Sequence, residues 1–454
     1  MEQHNWGAYF DKVFEEPDYI CENGICDTDA LERSNAHLNQ RLSQLLTASE
    51  TTWPEPEETV PVITPTPRSE VTPSRSAVLP LQSNVWNGTE LLNYHAQITV
   101  GQLPKPFFVA LDTGSSLLWI QSQVNQRDAP VEDQSTYIPE HSTTSKNLGK
   151  SIDVLYADQS SVTAAVYADE ITAGKLTADS QTFGAASTTN IRDAFRKKSS
   201  NGIMGLALPV KQDPNLVGID LSNLVLNLYQ SRRVKYASMS IVGPRNNPKN
   251  AERIDKERQM QPRGYFIVGS VDPKFYTGHI SWLPRQDVNR WIIELNEVIV
   301  NDQVVLRNQR ALIDTGTAFM LANAEAYKTI MRSIADARSF KPGYFSYPES
   351  SLTSIGFKFG ERTILLRQSD FSLGQKKYPM NATGAPDTSQ PARYVSSIIR
   401  QDSWPEDFGN DLWVLGGIFI DNVVVIFDFS GKRIGLADIS EDDPQYDPGA
   451  FEAV

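Results

Sequence analysis

Ala110-Leu111-Asp112-Thr113-Gly114-Ser115-Ser116 is the segment around which this chain is organised. It lies inside an apolar run that begins at Phe107 and ends at Ile120, and such a run predicts a buried strand. A carboxylate in a buried strand is costly unless a partner satisfies it. Since Thr-Gly favours a tight turn, the pattern places Asp112 where a strand ends and a loop begins.

A second copy of the segment occurs 202 positions later, as Ala311-Leu312-Ile313-Asp314-Thr315-Gly316-Thr317. Each copy is followed by an apolar strand that ends in glycine: Gly202-Ile203-Met204-Gly205 and Trp413-Val414-Leu415-Gly416. The final glycine lies 93 positions after Asp112 in the first copy and 102 positions after Asp314 in the second. One Asp-Thr-Gly tripeptide is most simply a turn, but two copies with matched surroundings indicate a repeat. Two lobes related by an approximate two-fold axis would bring the two aspartates together.

These residues resemble the motifs of the pepsin-like aspartic proteases, and the resemblance extends from about Tyr94 to Asp438. Trp119 stands where the family keeps a tryptophan. Tyr156-Ala157-Asp158-Gln159-Ser160-Ser161 is similar to the family's flap, most of all in its fungal members. The resemblance implies an all-β fold with a few short helices, built as two pepsin-like lobes with pseudo-two-fold symmetry. It also implies hydrolysis of peptide bonds in the cleft between the lobes, with neither a metal nor another cofactor.

Asp112 and Asp314 are the candidate catalytic pair. Two carboxylates a few ångströms apart cannot both ionise at low cost, so they share one proton. The ionised carboxylate is then a general base for a water molecule, and the protonated one donates to the scissile carbonyl. The residues expected to support the pair flank it in both copies: Thr113, Gly114, Ser115, Thr315, Gly316 and Thr317.

These flanking residues have separate expected roles. The glycines let the backbone approach the carboxylates and supply N–H donors. The hydroxyls of Ser115 and Thr317 are placed to hydrogen-bond the carboxylate beside them. The family resemblance implies that Thr113 and Thr315 reach between the lobes and brace the two loops against each other.

The candidate flap and cleft residues are Tyr156, Asp158, Ser160 and Trp119. The resemblance implies that Tyr156 closes over the substrate and bonds the indole of Trp119; the alternative is that both are ordinary core aromatic residues. Alanine and glutamine stand at positions 157 and 159, where the flap usually has glycines. Because glycine permits unusual backbone angles, this departure favours a stiffer flap and slower or narrower catalysis.

The composition indicates which kinds of partner the protein has. The 454 residues carry a net charge of −13 with a pI of about 5.0, whereas a nucleic-acid-binding protein would show a basic footprint. No apolar run is long enough to span a bilayer. The expected partner is therefore a polypeptide substrate, with no nucleic acid and no membrane, and a monomer is the default for the fold.

Changes in composition divide the chain into four regions: an acidic N-terminal leader with one helix over 1–50, a Pro/Thr/Ser-rich linker over 51–80, an N-terminal protease lobe over 81–275 and a C-terminal protease lobe over 276–454. The leader helix is predicted over Asp29–Leu46. It is either a pro-segment helix that covers the cleft, or a helix that faces a partner or is poorly ordered. Family pro-segments are basic, whereas this leader is acidic, so its charge argues against a pro-segment. The end of the linker, Ala77–Leu81, is expected to enter the fold as an edge strand.

Both cysteines lie in the leader. The spacing of Cys21 and Cys26 permits a small disulfide loop and also permits two unpaired thiols. The family resemblance implies a secreted or vacuolar protein. However, no apolar signal-peptide core follows Met1, and lobes without cysteine fit a reducing compartment, so an intracellular location is the alternative.

Short strands separated by polar turns are typical of all-β domains. The predicted strands include Tyr94–Val100, Phe107–Leu111, Ser116–Ser122, Ile152–Leu155, Val162–Tyr167, Ile203–Leu206, Ser238–Val242, Tyr265–Val268, Trp291–Leu295 and Val298–Val300. Helices are predicted over Leu216–Gln230 and Ala324–Asp336.

Three functions are compatible with the pair of aspartates. The first is an aspartic endopeptidase, which hydrolyses internal peptide bonds through a water activated by Asp112 and Asp314. The second is a pepsin-fold enzyme that uses the same pair for acid/base chemistry on a small molecule, for example in a biosynthetic pathway; the altered flap and the missing signal peptide motivate it. The third is a non-catalytic binding protein, against which the retained pair argues.

Overall fold

The computed structural model describes the chain over these residues: 21–22, 25–26, 76–86, 89–90, 94–102, 106–123, 135–155, 161–190, 200–208, 218–244, 260–341, 343–352, 354–367, 393–402 and 409–440. The expectations for the leader helix, for residues 51–75 of the linker and for the flap segment 156–160 concern residues outside these ranges.

Strands dominate the described residues up to position 269. They are β1 Cys21–Glu22, β2 Ile25–Cys26, β3 Ser76–Trp86, β4 Thr89–Glu90, β5 His95–Val100, β6 Phe107–Asp112, β7 Leu118–Gln121, β8 Lys146–Leu155, β9 Ser161–Ala173, β10 Leu176–Asn190, β11 Gly202–Gly205, β12 Ser238–Val242 and β13 Met260–Gly269. Helix α1 spans Leu224–Gln230, and a 3-10 turn spans Pro139–His141.

Strands also dominate the described residues that follow. They are β14 Tyr276–Pro284, β15 Ile292–Val300, β16 Gln303–Ile313, β17 Met320–Asn323, β18 Arg338–Lys341, β19 Tyr344–Pro348, β20 Ser354–Phe359, β21 Arg362–Arg367, β22 Arg393–Val395, β23 Ile398–Gln401, β24 Leu412–Leu415, β25 Val424–Asp428 and β26 Arg433–Ile439. Helices α2 and α3 span Ala324–Ser333 and Gly417–Ile420, and 3-10 turns span Pro273–Phe275 and Glu349–Ser351.

Two sheets hold most of these strands. The larger has the order β14-β26-β25-β12-β13-β3-β5-β6-β11-β7-β10-β9-β8, with β4 beside β3. The second has the order β21-β20-β15-β16-β24-β17-β23. A third sheet has the order β18-β19-β22, and β1 pairs with β2.

The two strands that lead into the Asp-Thr-Gly segments have equivalent neighbours, which confirms the predicted repeat. β6 lies parallel to β11, β11 lies antiparallel to β7, and β7 lies parallel to β10. In the other lobe β16 lies parallel to β24, β24 lies antiparallel to β17, and β17 lies parallel to β23. The fold is therefore the mostly-β, bilobal pepsin-like fold that the sequence predicts.

The strands that end in glycine leave no room for a side chain at that end. A Cβ on Gly205 would overlap the backbone of Ser116 and Leu117, and a Cβ on Gly416 would overlap the backbone at Thr317. Glycine is required at both positions because two backbones are in close contact there. The contact seats each Asp-Thr-Gly loop against the glycine strand of its own lobe.

Among the differences between predicted and observed elements, two concern an edge strand and the start of a helix. β3 begins at Ser76, inside the region assigned to the linker, and pairs with β13 and with β5, so the expected edge strand is an interior strand. The predicted helix Leu216–Gln230 begins only at Leu224. The Asn223 side chain accepts a hydrogen bond from the Leu226 N–H at 3.0 Å and caps the helix there.

His95 on β5 is a buried histidine with little polar support. It is 1% exposed, and neither ring nitrogen has a hydrogen-bond partner of good geometry among the described residues. Burial lowers the pKa of His95 from 6.5 to about 3, and the backbone of Gln82 offsets only part of that effect. The folded state thus excludes a proton that the unfolded chain takes up below pH 6.5, so stability falls as the pH drops from 6.5 toward 3.

We expect His95→Phe to weaken this dependence on pH. One such group changes the free energy of unfolding by up to about 1.4 kcal/mol for each pH unit. Between pH 7 and pH 4.5 the variant should therefore lose about 2–3 kcal/mol less stability than the wild type. Urea unfolding at the two pH values measures the difference, with the exposed His279 changed to Gln as the control. Equal pH dependence in wild type and His95→Phe would contradict the role given to burial.

Candidate active site

Asp112 is the last residue of β6 and is 3% exposed. Its carbonyl oxygen accepts a hydrogen bond from the Leu206 N–H at 2.7 Å, which ties its backbone to the end of the glycine strand. Its carboxylate accepts two more hydrogen bonds, from the Gly114 N–H to Oδ1 at 2.9 Å and from the Ser115 hydroxyl to Oδ2 at 2.5 Å. Both carboxylate oxygens therefore have fixed positions.

Asp314 directly follows β16, and its carboxylate has an equivalent set of donors. It is 2% exposed, and its backbone N–H donates to the Leu415 carbonyl at 3.1 Å. The Gly316 N–H donates to its Oδ1 at 2.9 Å, and the Thr317 hydroxyl donates to its Oδ2 at 2.6 Å. The same atoms of the two carboxylates thus have the same kinds of donor.

Gly114 marks the space between the two carboxylates. The position that a Cβ would occupy on Gly114 lies 2.8 Å from Oδ1 of Asp314 and 3.1 Å from Oδ1 of Asp112. At most 5.9 Å therefore separates these two oxygens. Two carboxylates from sequence positions 202 apart share one buried site, and the absence of a side chain at position 114 keeps the space between them open.

Thr113 and Thr315 connect the two loops through four buried hydrogen bonds. The N–H of each threonine donates to the hydroxyl oxygen of the other at 3.0 Å. The Thr113 hydroxyl donates to the Ile313 carbonyl at 2.8 Å, and the Thr315 hydroxyl donates to the Leu111 carbonyl at 2.9 Å. Because each hydroxyl serves once as donor and once as acceptor, the arrangement is symmetric, and it holds the residues on either side of both aspartates.

We expect Thr315→Val to destabilise the protein by about 2–5 kcal/mol. Valine has the same shape, but it leaves the Thr113 N–H and the Leu111 carbonyl buried without their partner, at about 1–3 kcal/mol each. Thr315→Ser is the matched control, because it keeps the hydroxyl and loses one methyl group, at about 1 kcal/mol. Denaturant unfolding of both variants measures the difference. A valine variant as stable as the serine variant would contradict a bracing role for the hydroxyl.

Trp119 lies on β7 and is 1% exposed. It packs in a small apolar cluster with Val162, Ala164, Ala186 and Ile203. The segment that holds Tyr156, Asp158 and Ser160 connects β8 to β9, which pair up to Leu155 and Ser161. These three residues lie outside the described ranges, so their contacts stay predictions.

Asn201 is a supporting residue whose role the sequence does not reveal. Its side-chain oxygen accepts a hydrogen bond from the Phe108 N–H at 2.7 Å, and its amide donates to the Ser135 carbonyl at 3.2 Å. The sequence shows only that an asparagine directly precedes the glycine strand β11. The structure shows what the amide supplies, since it both accepts and donates where a carboxylate would only accept.

Two aromatic side chains that the sequence analysis does not single out also cross between the lobes. The Tyr94 hydroxyl lies 3.2 Å from the Gly417 carbonyl oxygen, and the Trp291 indole N–H donates to the Leu206 carbonyl at 3.1 Å. Both residues are fully buried. Their signal in the sequence is positional, because Tyr94 and Trp291 directly precede β5 and β15, the strands beside β6 and β16.

Two similar β lobes with a pair of Asp-Thr-Gly loops at their contact define the class of aspartic endopeptidases. A comparison with family models matches residues 93–439 to the eukaryotic aspartyl protease family. The match covers most of the chain, and the chain belongs to this family. It is a hydrolase of the aspartic endopeptidase class.

Individual relatives are similar over the same part of the chain. Embryonic pepsinogen of Gallus gallus is 25% identical over 349 residues, which cover 76% of this chain and 80% of that protein. Chymosin of Callithrix jacchus is 26% identical over 346 residues, with the same two coverages. Cathepsin D of Chionodraco hamatus is 25% identical over 350 residues, again covering 76% and 80%. These relatives are animal proteins, so they do not support the predicted closer likeness to fungal members.

Within the described ranges, no helix combines the length and the apolar character that crossing a bilayer requires.

Proposed function

We propose that Asp112 and Asp314 are the catalytic dyad of this endopeptidase and that they hydrolyse internal peptide bonds of a polypeptide substrate. The observation that carries the proposal is the position of both Oδ1 atoms beside Gly114, at most 5.9 Å apart. Two buried carboxylates held close together cannot both ionise at low cost, so in this proposal the pair holds one proton between them. One of them is then a base and the other an acid in the same site.

The reaction follows from that shared proton. The ionised carboxylate removes a proton from a water molecule held between the pair, and the water oxygen attacks the scissile carbonyl carbon. The protonated carboxyl donates its proton to the carbonyl oxygen, which gives a neutral tetrahedral intermediate. When the intermediate collapses, the carboxyl that took the water proton donates it to the amine nitrogen. The other carboxylate takes back a proton from one hydroxyl of the intermediate, and the C–N bond breaks. The products are a carboxyl group and an amine, and no covalent bond to the enzyme forms.

The groups beside Asp112 and Asp314 hold the two carboxylates in place for this proton transfer. The N–H groups of Gly114 and Gly316 donate to Oδ1 of the aspartate in their own loop. The hydroxyls of Ser115 and Thr317 donate to Oδ2. Charge-assisted hydrogen bonds of this kind stabilise whichever carboxylate is ionised. Thr113 and Thr315 hold the two loops at a fixed separation.

The cleft residues and the outer regions complete the proposal. Trp119, Tyr156, Asp158 and Ser160 are proposed to form the substrate-binding wall and flap. The likeness to fungal members rests on the flap segment alone and stays a prediction. The proposed lobes are residues 81–275 and 276–454, with a leader over 1–50 and a linker over 51–80. Since β3 begins at Ser76 and pairs on both sides, a removable leader is expected to end before Ser76.

The test is digestion of an unfolded protein. Reduced and denatured casein is incubated with the full chain from pH 3 to pH 7, with and without a statine-type transition-state mimic, and the ends of the fragments are sequenced. We expect cuts within the casein chain at acid pH that the mimic blocks. A protein that is folded by circular dichroism but cuts nothing at any pH would contradict the proposal and favour the small-molecule alternative.

The same experiment tests the leader. The chain is held at acid pH without substrate, and its N-terminus is then sequenced. A new N-terminus before Ser76 would identify the leader as a removable pro-segment. An unchanged N-terminus in an active sample would show that the leader does not block the cleft.

A further inference from the structure

A continuous path of hydrogen bonds runs from one aspartate to the other through Trp291. The Leu206 N–H donates to the Asp112 carbonyl at 2.7 Å, and the Leu206 carbonyl accepts from the Trp291 indole N–H at 3.1 Å. The Trp291 carbonyl in turn accepts from the Ile313 N–H at 3.0 Å, and Ile313 is joined covalently to Asp314. Every residue on the path is buried.

A second path runs the opposite way through Tyr94. The Tyr94 carbonyl accepts from the Leu111 N–H at 2.8 Å, and Leu111 is joined covalently to Asp112. The Tyr94 hydroxyl lies 3.2 Å from the Gly417 carbonyl oxygen, and the Gly417 N–H donates to the Thr317 carbonyl at 2.8 Å. The Thr317 hydroxyl completes the path at Oδ2 of Asp314, at 2.6 Å.

The two paths are related by the repeat. Tyr94 and Trp291 each bond, through their own carbonyl, to the residue just before the aspartate of their own lobe. Each side chain then reaches the residue that follows the glycine of the opposite glycine strand, since Leu206 follows Gly205 and Gly417 follows Gly416. Core packing alone does not require both polar atoms to bond at equivalent positions, because an aromatic ring fills the same space whichever partner its polar atom finds.

The Tyr94 path has one further partner. The Tyr94 hydroxyl has one proton to donate and two acceptors within reach, Oδ1 of Asp421 at 2.6 Å and the Gly417 carbonyl oxygen at 3.2 Å. Asp421 is the C-cap of α3, and its own N–H donates to the Gly417 carbonyl at 2.9 Å. Both acceptors therefore belong to the same turn of the second lobe, and either bond fixes Tyr94 to it.

We propose that Tyr94 and Trp291 are positioning residues that set the separation of the Asp112 and Asp314 carboxylates. The inference rests on the proposed function, because it assumes that the two carboxylates must stay close enough to share a proton. The hydrogen bonds of Thr113 and Thr315 join the two Asp-Thr-Gly loops directly. The side-chain hydrogen bonds of Tyr94 and Trp291 start from residues outside the loops and connect each lobe to the opposite one. Loss of either aromatic bond leaves the ring in place but lets the carboxylates separate.

The consequence is kinetic and has a characteristic dependence on pH. A small displacement of reacting groups lowers turnover by about 10- to 100-fold. When two coupled carboxylates move apart, the two apparent pKa values of the pair become closer. A bell-shaped plot of kcat against pH then becomes narrower. A residue that only stabilises the fold would leave the width of the bell unchanged.

The test uses two substitutions that remove only the hydrogen-bonding group. Tyr94→Phe removes the hydroxyl, and Trp291→3-benzothienylalanine replaces the indole N–H with sulfur at nearly the same shape. Both are assayed as full chains on a blocked peptide substrate. We expect kcat to fall by about 10- to 100-fold with KM within about twofold, and the bell to narrow by about half a pH unit or more.

The chain offers a matched control for each. Tyr137 is buried, and its hydroxyl bonds Ser145 and Asp169 inside the first lobe. Trp413 is buried, and its indole nitrogen has no hydrogen-bond partner among the described residues. Tyr137→Phe and Trp413→3-benzothienylalanine should therefore keep kcat and the width of the bell, whatever they cost in stability.

The possible outcomes separate this inference from the proposed function. Wild-type kcat and bell width in both Tyr94→Phe and Trp291→3-benzothienylalanine would overturn the inference. If Asp314→Asn is inactive in the same series, the proposed function stands. A wild type without peptidase activity would overturn the proposed function itself. Equal losses of kcat in the tested variants and their controls would also overturn the inference, since the effect would then come from burial alone.

Discussion

Asp112→Asn and Asp314→Asn should each lower kcat/KM for a peptide by at least about 10⁴-fold. Asparagine has the size of aspartate, and its carbonyl still accepts the glycine N–H that bonds Oδ1. The loss comes from chemistry, because an amide can neither remove a proton from water nor donate the shared one. Steady-state kinetics on a fluorogenic peptide measures the loss, with circular dichroism to show that each variant is folded.

The double variant gives the sharper result. Groups that act as one unit lose nearly all activity at the first substitution, so the double variant should be about as inactive as either single one. Asp169→Asn is the control: Asp169 is equally buried, but it bonds Tyr137, Ser142 and Thr144 away from the dyad. We expect its kcat to stay within about threefold of wild type. Single variants that keep more than about a hundredth of the activity would contradict a shared role.

The second large effect is expected from Gly114→Ala. The new methyl group would lie 2.8 Å from Oδ1 and 3.0 Å from Cγ of Asp314, and 3.1 Å from Oδ1 of Asp112. At these distances a carboxylate must move, and the methyl group enters the space that the proposed mechanism assigns to the attacking water. We expect kcat/KM to fall by about 10³-fold or more, with binding of statine-type mimics weakened as well.

Gly149→Ala is the matched control for that variant. A Cβ on Gly149 meets no atom within 4 Å, although its φ of +68° makes alanine strained there. The control should therefore lose about 1–2 kcal/mol of stability and keep its activity. If Gly114→Ala kept more than about a tenth of wild-type kcat/KM, position 114 would not border the reacting atoms.

The proximity of the Asp112 and Asp314 carboxylates is predictable because it depends on strong local signals. A carboxylate in a buried strand, followed by Thr-Gly and repeated in a matched frame, has few explanations other than a shared site. The glycine strands were predictable for a related reason, since an apolar run that ends in glycine indicates close backbone contact. The observed seating of Gly205 and Gly416 on the two loops agrees with that reasoning.

Other features depend on contacts that a linear pattern does not contain. Tyr94 and Trp291 look like core aromatic residues in the sequence, and only the crossing of the lobes shows where their polar atoms bond. The start of α1 was misplaced because leucines continue before Leu224, whereas the capping bond of Asn223 decides the boundary. The end of the linker is expected to form an edge strand, yet two neighbouring strands enclose β3.

The most direct test of the dyad is the pH profile of kcat/KM for a blocked peptide that has no ionisable group. With such a substrate and a folded enzyme, every limb of the profile belongs to the protein. Two aspartates that share one proton should give a bell, because activity requires one carboxylate ionised and the other protonated. A bell at acid pH that is absent in Asp112→Asn and Asp314→Asn is the expected result. A profile with a single limb, or activity that rises without a maximum up to neutral pH, would contradict a shared proton between Asp112 and Asp314.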